Sequence, residues 1–209
     1  MKNIKFLTPE NFPRHARKLA TEFPEFRLVL QRWGLPVFWR RQEGIDSLVR
    51  IILEQQISFV AAQSIYKRVR SSLGSLSAKR IYAAGPDRLR TLGLTRQKSR
   101  YCYGIAEAVV ERRLRLGSLT KLNDQNVIAA LVELPGIGPW TASIYAMSAL
   151  GRIDVWPPGD LALRNGVADL MPRVDTESLG DSGVRWRPRR AVAARLVWHH
   201  YRNCRSAKS

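Results

Sequence analysis

The sequence is short of cysteine, short of acidic residues and free of long apolar runs, and each shortage excludes something. Two cysteines among 209 residues, Cys102 and Cys204, allow one disulfide but no disulfide framework. Neither stands in metal-ligand spacing, and the three histidines, His15, His199 and His200, form no zinc pattern. No long apolar stretch follows the opening Met-Lys-Asn-Ile-Lys-Phe, and none elsewhere approaches the length of a membrane span. The expectation is a cytoplasmic, reducing compartment and no membrane partner. Alternating apolar and polar residues, the mark of a half-buried strand, are also missing.

What is present in excess is positive charge. Thirty-five Lys and Arg face seventeen Asp and Glu, a formal net charge of +18. Such a surplus repels itself in a compact chain and is best offset by a polyanion, of which nucleic acid is the commonest. With 45% hydrophobic residues the chain can still bury a core, as one domain or two small lobes.

Apolar residues recur at helical spacing along most of the chain. Pro24 to Trp33 reads as a helix stopped by Gly34. Asp46 reads as the cap of a helix through Gln56, and Ser58 as the cap of one ending at Gly74. Short helices follow from Ser77 and from Pro86, the second closed by Gly93. Thr95 opens a longer one ending at Gly117, and Asn123 or Asp124 opens another through Val132. Helices also fit Pro139 to Leu150, Asp160 to Leu170 and Arg189 to about Arg202, with a frayed tail from Arg202 to Ser209. The fold class expected is all-α.

Two segments carry chemistry. In Leu134-Pro135-Gly136-Ile137-Gly138-Pro139-Trp140-Thr141-Ala142, two glycines flank one apolar residue between two helices. Glycine lets the backbone turn sharply and approach a ligand closely, and Pro139 suits a first helical turn. The N–H groups of Gly136, Gly138 and the turn through Thr141 then form a place for a DNA phosphate, helped by the helix dipole. The second segment, Val155-Trp156-Pro157-Pro158-Gly159-Asp160-Leu161, brings the chain out of a rigid turn and sets Asp160 where a helix starts. Taken alone, Asp160 is an ordinary N-cap.

Together the hairpin and the downstream aspartate resemble the helix-hairpin-helix DNA glycosylases of base excision repair, in particular the alkylation-repair branch typified by 3-methyladenine DNA glycosylase II. The likeness extends from about Arg27 to Trp198. It implies two helical lobes with the hairpin at a DNA-binding mouth, divided as 1–44, 45–132 and 133–209, the first and last sharing a lobe. The larger members' N-terminal α/β domain has no room here. The resemblance makes Asp160 the catalytic carboxylate, stabilising an oxocarbenium-like sugar and orienting the attacking water. It puts Trp140 and Trp198 in a base pocket with Ile144 and Tyr145 nearby, Ile144 departing from a tyrosine in some relatives. Positively charged alkylated purines stack well on such rings.

The same resemblance makes Gln55 and Gln56 the wedge that fills the gap left by an extruded base, and makes Arg96, Lys98, Arg187 and Arg190 phosphate or packing residues. Backbone carbonyls of Val132, Leu134 and Ile137 take the place of a monovalent cation site for sodium or potassium. No cofactor is otherwise required, and two cysteines cannot hold the iron–sulfur cluster of some relatives. Trp140 stands where strand-cleaving members carry a Schiff-base lysine, which implies hydrolysis alone. The expected partner is damaged double-stranded DNA, bound by a monomer. Two rival readings are a glycosylase for oxidised or deaminated purines and a non-catalytic helix-hairpin-helix DNA-binding module. The second needs neither Asp160 nor an aromatic pocket.

Overall fold

The computed structural model describes residues 6–172 and 183–207. Over these residues the chain is all-α, its one extended pairing an isolated bridge between Phe6 and Arg152. It divides into two compact units, a central one from Arg41 to Tyr145 and a terminal one made of Met1–Arg40 with Ala146–Ser209. No described helix is long and apolar enough to cross a membrane.

The central unit holds α3 (Ile45–Glu54), α4 (Phe59–Leu73), α5 (Ala78–Thr91), α6 (Arg96–Val110), α7 (Asp124–Val132) and the start of α8 (Pro139–Ser148). Its helices begin where local chemistry says they should. Ser58, Ser77, Thr95 and Asn123 each accept the backbone N–H three residues ahead, a cap that stabilises by about 1 kcal/mol. Gly85, at φ 68°, breaks α5 just before Pro86 and yields the two short pieces expected there. α3 buries Leu48, Val49, Ile51, Ile52 and Leu53 in the core.

Two boundaries differ from expectation. Gly44, not Asp46, precedes α3. Asp46 instead accepts the Tyr66 hydroxyl at 2.7 Å and pairs with Arg70 at 3.4 Å. α6 stops at Val110 rather than Gly117: Arg112 turns left-handed at φ 62° and the Leu114 N–H returns to the Ala108 carbonyl at 3.0 Å. Leu116–Lys121 then forms a 3-10 turn.

The terminal unit holds α1 (Phe12–Glu22), α2 (Pro24–Trp33), α9 (Leu161–Leu170) and α10 (Arg190–Ser206). α1 was not anticipated, although Phe12, Ala16, Leu19 and Ala20 form its buried face at helical spacing. α10 reaches Ser206, beyond Arg202, and residues 208–209 of the expected frayed tail lie outside the described ones. Every residue from Ala191 to Val197 is buried, because α1, α2 and α9 all pack on this helix. One of them is Arg195. Its guanidinium donates to the carbonyls of Trp39 (3.1 Å) and Met147 (3.2 Å) and lies 4.3 Å from the Trp39 ring centre. Burial pulls its pKa down to about 10.

The division into units departs from the boundaries 1–44, 45–132 and 133–209. Residues 133–145, expected with the chain ends, cluster with the central unit. The cause is local bonding: the segment is fastened to α6 and to the α3–α4 turn by contacts described below.

His200, on α10, accepts the Trp33 indole N–H at its Nδ1 (3.4 Å), and burial lowers its pKa from the usual 6.5. The unfolded chain therefore takes up this proton at a higher pH than the folded one. Stability tied to His200 is complete above about pH 6.5 and declines as the pH falls through the lowered folded value. Thermal melts of wild type and His200→Gln between pH 7.5 and 5 should show a smaller acid-induced loss in the variant; equal losses would contradict this.

Candidate active site

In the central unit, α7, residues 133–138 and α8 form a helix-hairpin-helix. Gly136 sits at the turn with φ 76°, so close to α6 that an added Cβ would be driven into the Tyr101 ring. Pro135 packs in the same way over Gly104. Ile137 is buried and its N–H donates to the Leu134 carbonyl at 3.2 Å. The Ala142 N–H reaches the Gly138 carbonyl at 2.9 Å, closing the first turn of α8. Gly138 itself is exposed and needs no special angle. A groove of about 800 Å³ runs beside the hairpin, lined among others by Gln56, Arg96, Tyr101, Val132, Leu134 and Gly138.

Several residues expected to touch DNA are occupied otherwise. Gln55 donates from Nε2 to the Gly136 carbonyl and to Thr141 Oγ1, each at 3.1 Å. Its amide therefore braces the hairpin. Thr141 is buried and its hydroxyl faces Gln55, while the expectation for this residue concerns its backbone N–H. Lys98 donates to the carbonyls of Leu53 and Gln55, both at 2.7 Å, ending α3. Desolvation lowers its pKa. Gln56 is exposed and left-handed at φ 55°. Arg96 is exposed on the groove. Tyr145 is fully buried with its hydroxyl accepting the Gly44 N–H at 3.0 Å, which makes it a core residue, not a pocket wall. Ile144 is buried too, and Trp140 is half-buried in the first turn of α8.

In the terminal unit, Asp160 caps α9. Its Oδ1 accepts the Leu163 N–H at 2.9 Å and the Trp198 indole N–H at 3.2 Å. Capping and the expected catalytic position thus coincide in one half-buried carboxylate, held by α9 on one side and α10 on the other. Trp39 packs on Trp198 with ring centres 6.2 Å apart. It carried no sequence signal, since it lies in an irregular stretch without periodicity. Of the two roles expected for Arg190, the packing one is seen: its guanidinium meets the Asp154 carboxylate at 3.0 Å and the Asp154 carbonyl at 2.6 Å, tying the start of α10. Arg187 is exposed. Among the described residues no cluster of three or more His, Cys, Asp or Glu is placed to hold a metal ion.

The protein-family model described as "HhH-GPD superfamily base excision DNA repair protein" matches residues 49–178. A Saccharomyces cerevisiae DNA-3-methyladenine glycosylase is 33% identical over 77% of this chain, which spans 58% of that protein. A Schizosaccharomyces pombe DNA-3-methyladenine glycosylase is 28% identical, with 76% of this chain and 72% of its own length aligned. The crystal structure of a Bacillus halodurans DNA-3-methyladenine glycosidase superposes with a TM-score of 0.80, 28% identity, and coverage of 92% of this chain and 91% of that one.

The contact between Gly136 and Tyr101 yields a direct test. Gly136→Ala combines a clash with an unfavourable left-handed angle and should cost roughly 1–3 kcal/mol, read as a drop of several degrees in Tm. Gly138→Ala, with open space around it, should melt within about a degree of wild type, a surface substitution without strain. The reverse ranking would refute this account of the hairpin.

Proposed function

Because this chain belongs to the HhH-GPD superfamily of base excision DNA repair proteins, we propose that it is a monofunctional DNA glycosylase that hydrolyses the N-glycosidic bond of alkylated purines and leaves an abasic site. The observation that carries the reading is the Asp160 carboxylate, fixed at a helix start by the Trp198 indole and the α9 backbone. A carboxylate needed only as a cap has no use for an indole donor. As the base departs, positive charge grows on the sugar, and a fixed anion stabilises it without having to reorganise. The same carboxylate orients the water that attacks the anomeric carbon.

Substrates of the 3-methyladenine and 7-methylguanine type fit this equipment, and the printed names of the relatives support the class. Such bases are cationic and leave readily, so no strong general acid is required. Stacking on the ring of Trp198 stabilises a cation by about 0.5–2 kcal/mol. Hairpin N–H groups grip the sugar–phosphate backbone, with Arg96 beside them, and Gln56 fills the vacated gap. The carbonyls of Val132, Leu134 and Ile137 offer an all-oxygen donor set, which suits a hard cation such as sodium or potassium. Leu134 uses one carbonyl lone pair for the Ile137 N–H and retains the other. A cation there would add positive charge for the phosphate. Trp140 supplies no amine for a Schiff base, so the product is an intact strand with an abasic site.

Asp160→Asn keeps the side-chain oxygen that caps α9 while removing the charge. Its Tm and duplex affinity should stay near wild type while release of methylated base falls by at least about a hundredfold. Alkali should be needed to break the wild-type product strand. Excision within a few-fold of wild type would defeat the assignment. Release from 8-oxoguanine, hypoxanthine or uracil duplexes instead would redirect it to oxidised or deaminated bases.

A further inference from the structure

We propose that Gln55 is a positioning residue that locks the Gln56 turn to the phosphate-gripping hairpin, so that seizing the backbone and filling the gap left by a base occur as one event. The inference rests on the glycosylase reading for its consequence, though not for its geometry. α3 ends at Glu54 and α4 begins at Phe59, leaving a four-residue turn with Gln56 exposed and left-handed. A non-glycine residue stays in that conformation only when its surroundings dictate it. Here they do so from both sides.

From α6, the Lys98 ammonium holds the carbonyls of Leu53 and Gln55, the latter belonging to the peptide that enters Gln56. From the turn, the Gln55 amide reaches the hairpin at two points, the Gly136 carbonyl in the loop and Thr141 Oγ1 in the first turn of α8. The Gly136 carbonyl can only accept, so the amide nitrogen must face it. A side chain with two N–H donors meets this demand. Glutamate would set a carboxylate oxygen against a carbonyl, and methionine would offer no donor. The loop is then closed by Tyr101, one helical turn beyond Lys98 on α6, whose ring supports Gly136. Turn, hairpin and α6 therefore form a single braced ring, and Gln56 cannot shift without pulling on the residues that meet the phosphate.

Gln55→Met removes both donors at nearly constant volume, and Thr141→Val removes one acceptor. Hydrogen exchange of the free protein reads the brace without substrate: amides of residues 55–57 and 136–138 should lose protection together in Gln55→Met. Single-turnover release of methylated base, and 2-aminopurine fluorescence reporting base extrusion, should fall about tenfold or more. Affinity for a duplex carrying a tetrahydrofuran abasic analogue, which needs no extrusion, should stay within about threefold. Thr141→Val should fall in between. Gln55→Met with Gln56→Ala should be no worse than Gln56→Ala alone, because both act on one step. Exchange that loosens in only one segment, excision by Gln55→Met within twofold of wild type, or losses that multiply in the double variant would each overturn the proposal. Absence of base release from wild type would instead defeat the glycosylase reading, leaving the exchange result to decide the brace.

Discussion

The backbone of Gly136 lies against the face of the Tyr101 ring, and the arrangement of the central unit follows from that approach. No side chain can stand there, so the hairpin sinks onto α6 until its N–H groups and the first turn of α8 form one surface. Pro135 on Gly104 repeats the device one residue earlier. With the hairpin seated, Ile137 is buried and Gln55 comes within reach of both Gly136 and Thr141. A hairpin held at a greater distance would lose these bonds together. This is why residues 133–145 belong with the central unit, whatever their place in the chain.

Asp160 shows how a helix cap can also be fixed in direction by a second element. A cap accepts a backbone N–H, and the Leu163 bond does that. The indole of Trp198 adds a second donor to the same oxygen, so the carboxylate is fixed in direction as well as in place. Trp198 is steadied in turn by Trp39, whose carbonyl and ring both engage the buried Arg195. The Asp160 carboxylate thus sits at the end of a chain of contacts leading into the core of the terminal unit, and such rigidity is what electrostatic stabilisation by a fixed anion requires.

The large positive charge is not spent uniformly. Arg195 is buried among rings, Arg190 is bound to Asp154, Arg41 meets Glu54 at 2.6 Å, and Lys98 is turned inward on two carbonyls. Arg195, Arg190 and Lys98 act as internal multi-donor clamps for backbone carbonyls, and Arg41 pairs with a carboxylate. The surplus that remains, including Arg96 on the hairpin groove, is the part available to a polyanion. Composition counts both kinds alike, and the resemblance left Lys98 and Arg190 open between phosphate contact and packing.

What the sequence determined by itself was a set of features that depend on neighbours a few residues away. Ser58, Ser77, Thr95, Asn123 and Asp160 start helices because their side chains reach an N–H three positions on. The Pro-Gly-Ile-Gly-Pro turn announces itself because a left-handed glycine at Gly136 and a proline in the first turn of α8 both suit its backbone. Partnerships across the fold were settled by tertiary structure alone. Gln55 finds Thr141 across 86 positions, Lys98 finds Gln55 across 43, and Tyr145 finds Gly44 across 101. Local spacing carries no record of such distances. A polar side chain at a helix end reads the same whether it will meet solvent, a phosphate or a distant carbonyl, and packing alone chooses among them.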